Sequence, residues 1–367
     1  MAPLPGDASV RARRAETRAR PWGGVLGRAA LTVASLLIGA LATETATWAL
    51  FRWPGLWLDR VPEPVEALLR FYHANFLGGG PIQVRPECME PDPDLVYRLK
   101  TGECRYDTDE FDTRVRVSTR HLREDHVVTK PSLVFLGDSF TLGWGVEREE
   151  AYPAMVGRKL ARPAVVVANS SYGTVRELLL LRRLALDDFE AVVLQYYAND
   201  APENEAFLKT LRPEPTPSSA AAYGEAVRVW SRVNAKRFFR YTHHWLSMAF
   251  WSVTRPEPPV GHPVAVDEQA RMALRVLGAF AAELRGRPIL VFSADRGPDS
   301  AAFARALNAA PKPVGLGPVR AIDVTPELTA ADYFRLDIHW RPSGHRTIAN
   351  AIAANLASLS LTEPARP

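Results

Sequence analysis

Residues 133–143 read Leu133-Val134-Phe135-Leu136-Gly137-Asp138-Ser139-Phe140-Thr141-Leu142-Gly143. Four consecutive apolar residues closed by a glycine predict a short strand buried on both faces. The same kind of apolar run returns at 164–168, 191–194, 289–292 and 320–324. Between the runs, apolar residues fall at helical spacing over 152–160, 175–186, 266–284 and 301–309, and 343–359 closes the pattern. Strands alternating with helices predict an α/β fold: a three-layer α/β/α sandwich around a central, mostly parallel five-stranded sheet. In sheets of this kind, sites lie beyond the carboxyl ends of the strands.

The strand ends carry reactive residue types. Ser139 follows the first strand between glycines that permit a tight turn and close backbone approach. Gly173, in Asn169-Ser170-Ser171-Tyr172-Gly173, stands where the second strand gives way to a helix and a free N–H can point into a site. Asn199, in Gln195-Tyr196-Tyr197-Ala198-Asn199-Asp200, offers an amide donor at the end of the third. Near the C-terminus, Asp337-Ile338-His339-Trp340 places a carboxylate and an imidazole on one face of an extended segment. There the carboxylate can fix the ring's tautomer and stabilise its charged form. His345 is a rival base, but it falls inside the start of the last helix and reads as a structural histidine.

Taken singly, each of these residues suits a turn or a cap. Their order resembles that of the SGNH (GDSL) hydrolase superfamily over roughly 132–360. The resemblance implies Ser139 as nucleophile, His339 as base and Asp337 as its partner. It also implies an oxyanion hole from the Ser139 N–H, Gly173 and Asn199. Many members space the pair as Asp-x-x-His. The Asp-x-His-Trp form here looks like that of alginate-acetylation proteins. The activity so implied is hydrolysis of carboxyl esters on cell-envelope or extracellular glycans or lipids. An O-acyltransferase acting on a surface polysaccharide would use the same residues, and a non-catalytic envelope or glycan-binding module would keep only the fold. No cofactor and no metal are expected. The partners are an acylated glycan or other small ester, while the oligomeric state is left open.

Outside this region, composition sets the address. The net charge of +4 resides entirely in residues 1–28, where six arginines face Asp7 and Glu16. The body is therefore neutral and carries no electrostatic footprint for nucleic acid. Fifteen uncharged residues, 29–43, precede Glu44, and apolar residues continue to Phe51. As a helix, 29–51 would extend about 34 Å, enough for a ~30 Å hydrocarbon core. Trp48, Trp53 and Trp57 suit an interfacial belt.

With arginines on the N-terminal side, the expectation is a cytoplasmic tail (1–28) and a single-pass anchor in the cytoplasmic membrane (29–51). A small extracytoplasmic prelude (52–131) and a periplasmic or extracellular domain (132–360) would follow. A signal peptide cleaved near Ala40-Leu41-Ala42 and a buried soluble helix are the alternatives. In an oxidising compartment, Cys88 and Cys104 either form one bridge or stay as two buried thiols. Residues 201–265 interrupt the α/β rhythm. Their aromatic and basic residues over 227–253 fit a lid or membrane-surface helix, and equally a packed excursion with a solvated face.

Overall fold

The computed structural model describes residues 22–73, 82–108, 110–123, 132–186, 188–211, 218–233, 238–254, 264–294 and 298–358. Two helices come first, α1 (Trp22–Arg52) and α2 (Glu63–Tyr72), then four short strands, β1 (Met89–Asp92), β2 (Val96–Leu99), β3 (Gly102–Asp107) and β4 (Asp112–Val117). The α/β region runs β5 (Leu133–Gly137), α3 (Ser139–Leu142), α4 (Tyr152–Leu160), β6 (Ala164–Ala168), α5 (Thr174–Leu184) and β7 (Ala191–Tyr196). Three helices follow, α6 (Asp200–Thr210), α7 (Ser218–Val233) and α8 (Arg240–Thr254). Last come α9 (Val266–Ala279), α10 (Ala281–Leu284), β8 (Ile289–Ser293), α11 (Pro298–Ala309), β9 (Val319–Ile322) and α12 (Pro342–Ser358).

The five strands β5 to β9 form one sheet in the order β6-β5-β7-β8-β9, with every pairing parallel. The expected fold is therefore present, with strand bounds shifted by two residues at most. Alternation along each strand feeds two cores. Val134, Leu136, Val192, Leu194, Ile289 and Val291 face one layer, which includes Leu178, Leu181, Leu277 and Leu307 from the covering helices. Leu133, Phe135, Ala191, Val193, Leu290 and Phe292 face the other, against Val156, Ile348, Ile352 and Leu356. Burial on both faces is the reason these strands read as unbroken apolar runs.

Residues 89–117 form two antiparallel hairpins, β1–β2 and β3–β4, whose buried side chains join the first core. Polar ties fix them against β6 and α5. The Tyr97 hydroxyl donates to the Ser170 carbonyl at 2.7 Å. The Arg183 guanidinium holds the Asp92 carboxylate by two bonds of 2.6 and 3.0 Å. Cys88 and Cys104 form a disulfide that joins the approach to β1 to strand β3.

Helix α1 is long and apolar enough, over Gly24–Arg52, to cross a membrane. Its last turns dock on the body. Phe51 is buried with Leu58, Leu69 and Leu336, against Trp57 and Trp245.

The disulfide closes a loop of 16 residues. A Cys88→Ala/Cys104→Ala variant should therefore lose about 3 kcal/mol of unfolding free energy in denaturant titrations. A loss within error of zero would show that the hairpins are held by packing alone.

Candidate active site

The turn after β5 is built so that a serine can sit at the sheet edge. A Cβ on Gly137 would collide with Thr141 Oγ1 and come within 2.6 Å of Gln195 Oε1, so only glycine fits. Asp138 caps α3 by accepting the Phe140 N–H at 3.0 Å. Ser139 is the first helical residue, and its own N–H has no partner within the helix. Gly143 ends α3 in the left-handed region, at φ +81°. The buried Arg123 secures that end by donating to the carbonyls of Leu142, Gly143 and Val146 at 2.7 to 2.9 Å.

The histidine comes from the loop between β9 and α12. His339 Nε2 lies 2.7 Å from Ser139 Oγ, across 200 residues of chain. Its Nδ1 is hydrogen-bonded to Asp337 Oδ1, which also accepts the His339 backbone N–H at 2.9 Å. Trp144 Nε1 donates to Asp337 Oδ2 at 3.0 Å. Burial opposes ionisation of Asp337. The adjacent His339, its two hydrogen bonds and that of Trp144 outweigh burial and hold the carboxyl below its ordinary value.

Two further devices hold this loop. Glu110, in the turn between β3 and β4, accepts the N–H groups of Arg335, Leu336 and Asp337 at 2.6, 2.7 and 2.9 Å. Trp340 is fully buried, with its ring 4.5 Å from that of Phe140, so the residues after Ser139 and His339 pack on each other.

Ser139, His339, Asp337 and Trp144 line a cavity of about 290 Å³, together with Asn199, Ser170, Ser171, Gln83, Arg70 and His73. Asn199 Nδ2 donates to Asp138 Oδ2 at 3.3 Å. One bond orients the amide and leaves its second N–H available. Burial pushes the Asp138 carboxyl up to about 6, against the bonds from Phe140, Asn199 and Gln195 and the nearby His339.

Gly173 is placed differently from the expectation. Its N–H donates to Glu203 Oε2 at 3.2 Å, and it is absent from the described lining of the cavity. From that strand end, Ser170 and Ser171 reach the cavity instead. Ser171 sits in the left-handed region at φ +57°, its Oγ accepts from Gln83 and its carbonyl from Arg176. Among the described residues, its N–H makes no hydrogen bond.

His345 stands apart from this arrangement. It is buried in α12, and its Nδ1 accepts the Tyr152 N–H at 3.3 Å. Burial, with His339 and Arg123 nearby, lowers it to about 3.

Sequence reading missed Glu110, Arg123 and Trp144. Glu110 and Arg123 reach the site from the hairpin region, and Trp144, five residues after Ser139, bonds a partner 193 residues away, so no local pattern marks their roles.

No protein-family model matches the chain, and no curated protein matches it. Among solved structures it is similar to a carbohydrate esterase family 2 enzyme with a carbohydrate-binding domain from Corynascus thermopiles (Myceliophthora fergusii). That pair shares 14% identity over 65% of this chain and 70% of that one, with a TM-score of 0.37. An acetyl xylan esterase from the rumen bacterium Butyrivibrio proteoclasticus overlaps at 14% identity, 65% and 67% coverage and a TM-score of 0.38. A salicylyl-acyltransferase from a tetracycline biosynthetic pathway overlaps at 14%, 64% and 56%, with a TM-score of 0.34. Likenesses this distant say nothing of what this chain acts on.

Two outcomes follow from the geometry. Glu110→Ala removes a charged acceptor of three N–H groups, where such bonds contribute about 1.5–3 kcal/mol each. Amide exchange at Leu336 and Asp337 should therefore quicken about tenfold or more while the sheet amides stay unchanged. Unaltered exchange would discard the clamp.

The second outcome concerns His345, which stays neutral in the folded chain down to about pH 3. Unfolded, it takes a proton near its ordinary value of about 6.5. Stability is therefore lost as pH falls from that value, by about 2–3 kcal/mol at pH 4.5. Asp138 acts in the opposite sense, holding a proton when folded over the range between its ordinary value and about 6. Comparing wild type with His345→Gln isolates the histidine. The variant should lose less stability between pH 7 and 4.5 in denaturant titrations, and an equal loss would contradict this.

Proposed function

We propose that this chain is a membrane-anchored serine esterase of the SGNH type, working outside the cytoplasmic membrane by acyl transfer through Ser139. The observation that carries the reading is the imidazole of His339, held between Ser139 Oγ at 2.7 Å and the Asp337 carboxylate. A serine hydroxyl is a weak nucleophile until an adjacent base takes its proton.

His339 Nε2 accepts the Ser139 proton as Oγ attacks the ester carbonyl carbon. Asp337 keeps the Nδ1–H tautomer in place and stabilises the imidazolium. Negative charge collects on the former carbonyl oxygen. The Ser139 N–H and the spare N–H of Asn199 are its donors, with the Asn199 amide steadied by Asp138. Ser171, rather than Gly173, supplies the third donor, because the Gly173 N–H is engaged by Glu203. His339 then returns its proton to the departing alcohol, leaving an acyl group on Ser139. Water, or a sugar hydroxyl, attacks that acyl-enzyme with His339 again as base, and the serine is regenerated.

The cavity is large enough for a short acyl group and part of an alcohol. Its polar wall of Gln83, Ser170, Ser171 and Arg70 suits a hydroxyl-bearing partner, in keeping with an acylated glycan. The arginine-rich segment before α1 supports an orientation with that end in the cytoplasm. The Cys88–Cys104 bridge agrees with an oxidising compartment for the body.

Purified protein should hydrolyse a short-chain nitrophenyl ester and be labelled at Ser139 by a serine-directed phosphonate. Ser139→Ala should abolish both. Asn199→Ala should lower kcat by about 10²–10³ with little change in KM. Folded wild-type protein that shows neither turnover nor labelling would refute the proposal. With an acyl donor and a glycan together, acyl-sugar formation faster than hydrolysis would assign the chain to acyl transfer rather than hydrolysis.

A further inference from the structure

Helix α8 lies against the second half of α1, and polar contacts fix the pairing. The Glu44 carboxylate accepts the backbone N–H groups of Tyr241 and Thr242 at 3.2 and 3.1 Å. Thr242 Oγ1 donates to the Ala40 carbonyl at 3.0 Å, and Trp245 Nε1 donates to Thr47 Oγ1 at 3.0 Å. Contacts advance in the same direction along both helices, from Ala40 and Glu44 with Thr242 to Thr47 with Trp245. At 1.5 Å per residue, α8 therefore begins about 12 Å before the end of α1, beside the apolar span rather than beyond it.

The surface of α8 matches that position. Phe238, just before the helix, is 97% exposed, while Leu246 and Phe250 are 67% and 65% exposed. On α1, Leu41 and Trp48 are exposed as well. Arg240 is the single Lys, Arg, Asp or Glu residue between Phe238 and Thr254. A helix facing water would turn charged and polar residues outward. Glu44 fits the same arrangement. A lone carboxylate among apolar residues is costly in a membrane, but an acid at a helix N-terminus meets free N–H groups and the positive end of the dipole.

On the reading of α1 as a membrane anchor, we propose that α8 is a second membrane-contacting element. It lies against the outer end of α1, turns Phe238 and Leu246 toward lipid acyl chains, and brings Phe250, level with the end of α1, to the headgroup boundary. The occupant of this face is bilayer lipid because the face continues the lipid-facing surface of α1. The cavity then sits at the membrane surface. Its wall residue Leu336 packs in one cluster with Phe51 of α1 and Trp245 of α8. An ester reaching Ser139 would be taken at the bilayer surface rather than from bulk solution.

The test uses the full chain reconstituted in phosphatidylcholine vesicles. Single cysteines replace Leu36 in α1, Leu246 and Phe250 in α8, and Val314 on the body, and each carries a bimane fluorophore. The native cysteines are paired and do not react. Far-UV circular dichroism and an unchanged thermal transition select the folded variants, and two α8 positions guard against loss of one. Doxyl-labelled lipid should quench the Leu36, Leu246 and Phe250 sites. Aqueous iodide should quench the α8 sites about five-fold less than Val314, as for side chains withdrawn from water into the acyl boundary. Iodide access at the α8 sites equal to that at Val314, with Leu36 still quenched by lipid, would overturn the proposal and leave the anchor intact. Iodide access at Leu36 would overturn the anchor reading and this one with it.

Discussion

The hydrogen bond between His339 Nε2 and Ser139 Oγ is the contact on which the site depends, and the chain does little locally to secure it. Ser139 belongs to a one-turn helix after β5, and His339 to an irregular loop before α12. A displacement of 1 Å at either would break it, because hydrogen bonds weaken steeply beyond about 3.2 Å. Both sides are therefore held from outside. Arg123 gathers the carbonyls at the end of α3, and Glu110 gathers the amides that lead into Asp337. Each comes from the hairpin region that precedes the sheet. Those hairpins share a core with the α/β layers and so act as part of the site's frame.

Two carboxyl groups near Ser139 are both opposed in their ionisation by burial, and their partners decide opposite outcomes. Both are desolvated. Asp337 has the imidazole of His339, two N–H bonds and an indole N–H, and these favour its charge beyond the cost of burial. Asp138 has bonds from uncharged groups and a more distant His339, and burial prevails. The distinction suits their positions. A carboxylate that orients and charges an imidazole must be ionised, whereas one that caps a short helix and steadies an amide needs only lone pairs.

At the other end of the molecule, Glu44 shows how one side chain can answer to two surroundings. Along the sequence it interrupts an apolar stretch. In the fold it caps a helix that begins 196 residues later, at Arg240. The same packing brings Leu336, beside Asp337, into contact with the end of α1. Helix α1 and the loop bearing the imidazole are thus neighbours through one small apolar cluster.

By itself the sequence determined the five strands, their burial on two faces and the helices between them. Those features follow from local periodicity, and tertiary packing reinforced them. It also pointed to Ser139 and Asn199, because strand ends of a parallel sheet converge on one edge, whereas Asp337 and His339 reach the same cavity on the loop before α12. Tertiary structure alone decided the rest. It gave the Gly173 N–H to Glu203 and brought Ser171 to the cavity, since the path of a turn depends on the side chains packed over it. His345 already reads as structural from the sequence, and the fold adds only its partner, the Tyr152 N–H. Through space, the fold also recruited Glu110, Arg123 and Trp144, because the partners they bond lie far from them in sequence or in loops without a local pattern.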